Sequence, residues 1–66
     1  MLVIVNGDEI KIDSDATVYS ILEQLCLTDA KLAIELNEEI VPRSQHKIQL
    51  LASGDKIEIV QAIGGG

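Results

Sequence analysis

Apolar and polar positions alternate with period two at both ends of the chain and follow a helical period between them. Leu2-Val3-Ile4-Val5 is apolar and β-branched and runs into Asn6-Gly7, the dipeptide best suited to a tight hairpin turn with positive φ. Glu9-Ile10-Lys11-Ile12 then alternates as a half-buried strand does, so the first element reads as a β-hairpin. Val18, Ile21, Leu22 and Leu25 recur at i, i+3, i+4 and i+7, one face of an α-helix. The stretch Asp13-Ser14-Asp15-Ala16-Thr17 is rich in cap-forming residues, with Thr17 the expected N-cap and the two aspartates near the positive end of the helix. Thr28-Asp29 is poor helix material, so the helix is expected to end between Leu25 and Thr28.

Leu32, Ile34 and Leu36 alternate with Ala33 and Glu35 as a third strand, and Asn37-Glu38-Glu39 supplies a turn. Ile40-Val41 is a short strand that Pro42 confines to a sheet edge. Arg43 to Lys47 reads as a turn or short 3₁₀ segment, Ile48 to Ala52 resumes apolar character, and Ser53-Gly54-Asp55 turns into a last alternating strand, Lys56 to Val60. Strands on both sides of one helix predict an α+β fold in which a mixed sheet of four to five strands wraps that helix. Residues 1–62 form the expected domain and residues 63–66 a flexible glycine-rich tail. Alternation turns Val3, Val5, Ile10, Ile12, Ile34, Leu36, Ile57 and Ile59 toward the helix. Leu2, Ile4 and Val60 face away, either as scattered surface residues or as a partner-docking face.

Composition narrows what such a domain does. The chain has 66 residues, 47% of them hydrophobic, and its 5 Lys plus Arg against 11 acids leave a net charge of −6. A domain this short buries only about 60% of its unfolded surface. An enclosed pocket of about 300 Å³ would be carved from the same core, so chemistry belongs on the outside. Cys26 is the only cysteine, which excludes an internal disulfide, and a free thiol of this kind is expected to pack into the core. The absence of a disulfide framework suits a reducing cytoplasm. Met1 to Val5 is too short for a signal-peptide h-region and lacks a basic flank, and no run approaches the roughly 20 apolar residues that span a bilayer. Acidic charge and a sole aromatic, Tyr19, disfavour nucleic acid. Glu38-Glu39 and Asp13-Asp15, without histidine, read as solvated charge rather than a metal site. Arg43, His46 and Lys47 read as a solvated loop. What remains is a soluble acidic module, monomeric when free, that acts on other proteins.

The chain closes on Ile63-Gly64-Gly65-Gly66. At average glycine usage, three in a row at one fixed place arise by chance in roughly a few chains per ten thousand, which favours a purpose over an accident of composition. Without Cβ atoms, Gly64 and Gly65 can thread a narrow channel in a partner's active site and bring the Gly66 carboxylate to a reactive phosphate or sulfur. A carboxylate has no good leaving group, so it needs activation, most simply as an acyl-adenylate made from ATP. Attack by sulfur then gives a thiocarboxylate. No side chain and no cofactor of this chain enters those steps, which leaves it a substrate of enzymes and without catalytic residues of its own.

Asn6 after the first strand, Thr17-Val18 with Leu22 and Leu25, Asn37 followed by Ile40-Val41-Pro42-Arg43, Gly54-Asp55 with Ile57-Glu58-Ile59-Val60, and Gly65-Gly66 occur together at these spacings. Over its whole length the chain therefore resembles the ubiquitin-like β-grasp sulfur carriers of thiamine biosynthesis, the ThiS type. The resemblance implies an E1-like enzyme that uses ATP to adenylate Gly66, a cysteine desulfurase or sulfurtransferase that delivers sulfur, and a thiazole synthase that receives it from the thiocarboxylate. His46 stands where some relatives carry an aromatic residue, which bears on the packing of its loop. Two alternatives stay open. A molybdopterin synthase small subunit shares fold and tail but is usually longer. A ubiquitin-like modifier or non-covalent β-grasp interaction module belongs to a different functional class.

Overall fold

A computed structural model describes residues 1–28 and 31–61. Strand β1 (Leu2–Val5) turns through Asn6 and Gly7, at φ +49° and +88°, into β2 (Asp8–Lys11). That two-residue turn sets Val5 opposite Asp8 and starts β2 one residue earlier than the alternation alone suggests. Helix α1 (Val18–Gln24) follows, then β3 (Leu32–Leu36), β4 (Glu39–Ile40), a 3₁₀ turn at Arg43–Gln45, and β5 (Lys56–Gln61). The five strands form one mixed sheet in the order β2-β1-β5-β3-β4. The last strand in sequence is the middle strand in space, parallel to β1 and antiparallel to β3. β4 is an edge strand, as Pro42 requires.

The inward residues Val3, Val5, Ile12, Ile34, Ile57 and Ile59 pack against Val18, Ile21 and Leu22 of the helix, while Ile10 and Leu36 are half-buried at the margin. Ala16, Val41 and Leu51 complete this core. Thr17 is the N-cap: its Oγ1 accepts from the Ser20 amide at 3.3 Å, and Ser20 Oγ accepts from the Thr17 amide at 3.0 Å. The next two free donors of the first turn go elsewhere. The Val18 amide donates to Gln49 O at 3.1 Å and the Tyr19 amide to His46 O at 2.9 Å. Ile48 to Ala52 therefore forms no ladder strand, because its backbone serves as the cap of α1. Its one bridge is Leu50 opposite Thr17.

Three expectations are corrected at the helix end and in the loop. The helix stops at Gln24, so Leu25 becomes the C-cap and rotates off the apolar stripe to 38% exposure. Leu27 takes its place against the core, with its amide donating to Leu22 O at 2.8 Å while the Cys26 amide donates to Glu23 O at 3.1 Å. This is a Schellman ending, which puts Cys26 at φ +59° and leaves its side chain exposed rather than in the core. His46 is the converse case. It is buried, with Nε2 donating to Val41 O at 3.1 Å, while its neighbours Arg43 and Lys47 remain exposed.

Candidate functional site

The expected reactive residues Gly64, Gly65 and Gly66 lie outside the described residues, as does the expected domain boundary after residue 62. The structure does define the base from which they extend, the C-terminal end of β5. Ile57 and Ile59 anchor it in the core, and β3 flanks it out to the pair Leu32 and Gln61. On the other side the parallel ladder runs through Ile4 with Lys56 and Val5 with Ile57, then ends with the Asn6 amide donating to Ile57 O at 2.9 Å.

Beyond that rung the backbone of β1 turns away, and the Asn6 side chain takes over. Its Oδ1 accepts from the Ile59 amide at 2.8 Å, and its Nδ2 donates to Ile59 O at 3.2 Å. A carboxamide presents one donor and one acceptor as a peptide unit does, so it supplies one more rung of ladder without more strand. Asn37 secures the opposite end of β5 in the same manner. Its amide donates to Lys56 O at 2.8 Å, and its Oδ1 accepts from the Lys56 amide at 3.0 Å. Its Nδ2 donates to Asp55 Oδ1 at 3.0 Å, and Asp55 Oδ2 accepts from the Ala52 amide at 2.7 Å. Both asparagines sit in the left-handed region, at φ +49° and +50°, where asparagine is tolerated better than most residues.

Leu2, Ile4 and Val60 all lie on the sheet face away from the helix, but they do not form one contiguous patch. Ile4 is half-buried and lies beside Lys56. Val60 is four residues further along β5, about 13 Å at the rise of a strand, with the exposed Glu58 on the same face between them. Leu2, 47% exposed, is displaced the other way. Val60, 58% exposed, instead neighbours Ala33 on β3, and shallow grooves flank it: one includes Asn6, Leu27 and Ile59, the other Lys31, Leu32 and Ala33. The β3–β4 register adds the exposed Ile40 to this face, beside Glu35. Asn6 and Ala33 are thus neighbours of Val60 that alternation alone does not single out, and Ile40 shares the face two strands away. Among the described residues no group of three or more His, Cys, Asp or Glu side chains is placed to hold a metal ion, and no helix is long and apolar enough to cross a membrane.

Residues 3–66 match the sequence profile of the ThiS family. The chain belongs to the ThiS family. It is 35% identical over 66 residues to the sulfur carrier protein ThiS of Escherichia coli strain K12, with all of both chains covered. The crystal structure of the thiamine biosynthesis protein ThiS from Geobacter metallireducens superposes over all of both chains with a TM-score of 0.82 at 29% identity. The mixed sheet around one helix is accordingly the ubiquitin-like β-grasp of ThiS. The chain is also 41% identical over 66 residues to a thiazole synthase of Paramagnetospirillum magneticum, spanning 20% of that protein's length. The ThiS match extends through the three glycines, so the family pattern includes the tail as well as the folded body.

Proposed function

We propose that this chain is a sulfur carrier for thiazole formation in thiamine biosynthesis. The observation that carries the reading is the match to the ThiS family through Gly66. An E1-like partner uses ATP to adenylate the Gly66 carboxylate and releases pyrophosphate. A persulfide from a cysteine desulfurase or sulfurtransferase attacks the acyl carbon and expels AMP. A thiol then cleaves the remaining sulfur–sulfur bond, leaving a thiocarboxylate on Gly66 and a disulfide on the donor side. The thiocarboxylate delivers its sulfur to thiazole synthase. The occurrence of a similar segment inside a thiazole synthase polypeptide supports that enzyme as the recipient.

In this scheme Gly64 and Gly65 thread the partner's channel, where any Cβ would add bulk, and the outer sheet face bearing Leu2, Ile4 and Val60 docks the body. Ordering each tail residue costs roughly 1–2 kcal/mol, so contacts of the body must offset several kcal/mol in the complex. The chain itself catalyses nothing and binds no cofactor, and ATP belongs to the partner. Intact-mass measurement tests this. Incubation with ATP, the E1-like enzyme and a sulfur source should yield a species heavier by the difference between a sulfur and an oxygen atom. Removal of Gly66 should abolish it, and an unmodified carboxylate under every condition would sink the proposal.

A further inference from the structure

Ile59 is the last residue of β5 whose backbone faces the β1 side within the reach of a described partner, and that partner is a side chain. Val5 with Ile57 is the final strand-to-strand pair, and Asn6 adds one backbone rung to Ile57 before the chain reverses. Without the carboxamide, the Ile59 amide and carbonyl would face solvent on that side, and the last residues of β5 would be held only by β3. β3 itself begins at Leu32, opposite Gln61. A strand end held along one edge frays, and one held along both keeps its direction.

From this geometry we infer that Asn6 is a positioning residue for the reactive tail: its two hydrogen bonds to Ile59 fix the line along which the chain leaves the fold. The inference rests on the sulfur-carrier reading and adds to it a residue 53 positions away in sequence from its partner. The mechanism is preorganisation. If residues 59–61 are already ordered in the free protein, they add no ordering cost to binding, whereas a frayed end does. The exposed groove shared by Asn6, Leu27, Ile59 and Val60 leaves this clamp at the surface, next to the departing strand. The left-handed φ of Asn6 has a separate function in the turn, which permits a clean substitution. Glycine accepts φ +49° without strain and deletes only the clamp.

The test compares Asn6→Gly with the natural chain in two measurements. Amide exchange at Ile59, Val60 and Gln61 should quicken about tenfold or more while Ile21 and Leu22 keep their rates. Steady-state adenylation by the E1-like enzyme should show KM raised about five- to thirtyfold, the loss of two net hydrogen bonds, with kcat within about twofold because the bound strand end is ordered by the partner. Asn6→Asp keeps the acceptor for the Ile59 amide and loses the donor, and should fall between the two. Ile12→Val, a core change at the opposite end of the sheet from Ile59, should lower thermal stability and leave KM unmoved. An unchanged KM in Asn6→Gly, unchanged exchange at residues 59–61, or an equal KM effect in Ile12→Val would each overturn the role. Failure of the natural chain to be adenylated at all removes the carrier reading and the positioning role together, whereas an adenylated natural chain with an indifferent Asn6→Gly removes the positioning role alone.

Discussion

Cys26 and Glu38 occupy backbone conformations that usually fall to glycine, at φ +59° and +72°. Cys26 is the residue after the C-cap of α1, and Glu38 is the second residue of the Asn37-Glu38 turn between β3 and β4. A side chain there crowds the following carbonyl, at a cost of roughly 1–2 kcal/mol, part of which glycine returns as entropy of the unfolded chain. Cys26→Gly and Glu38→Gly should therefore each raise stability by about 0.5–1 kcal/mol. Urea unfolding will show this as a higher midpoint at unchanged slope. Asn6 and Asn37 show the other use of the same region, where a left-handed backbone comes with a side chain that works as a strand. The clamp that Asn6 places on Ile59 was not legible in the sequence. The dipeptide Asn-Gly announces a hairpin, but the clamp requires knowing that β5, far along the chain, lies alongside.

At the scale of elements, α1 has 7 residues, too few to hold together alone. Its stability comes from burying Val18, Ile21 and Leu22 and from the loop that satisfies its first amides. That loop divides sharply between neighbours: Leu51 is buried in the core, whereas Leu50 is 61% exposed. Leu51→Ala should cost about 2–4 kcal/mol, and Leu50→Ala less than about 0.5 kcal/mol, both read from thermal unfolding. Equal effects would mean that the loop is not packed as described. Periodicity made both hairpins, the helix, its N-cap and the last strand readable, because those signals are local. It failed where a segment's role depends on a distant one. Ile48 to Ala52 carries strand-like apolar residues, yet the Val18 amide of α1 claims the Gln49 carbonyl. The Schellman ending at Cys26 is not legible because no glycine marks it. His46 looked like a surface residue among polar neighbours, but the Val41 carbonyl gives its ring a buried partner.

For the whole molecule, charge and face act together. Residues of the outer sheet face mix apolar Val60, Ala33 and Ile40 with Glu35 and Glu58, which stand directly opposite each other on adjacent strands. Under the sulfur-carrier reading, Val60→Asp should lower kcat/KM for adenylation about tenfold while stability changes by no more than about 1 kcal/mol. An unchanged kcat/KM would show that docking uses another face. The net charge of −6 should steer association with the activating enzyme, so its on-rate should fall about tenfold or more as salt is raised from low to high ionic strength. A rate indifferent to salt would count against steering. The central place of β5 also bears on how the protein is made. Until Lys56 to Gln61 have left the ribosome, β1 and β3 have no common neighbour, and each exposes a bare edge able to pair with another chain. Synthesis thus withholds a finished sheet until the strand that leads into the glycines is available, and a product truncated before β5 keeps both bare edges and is aggregation-prone.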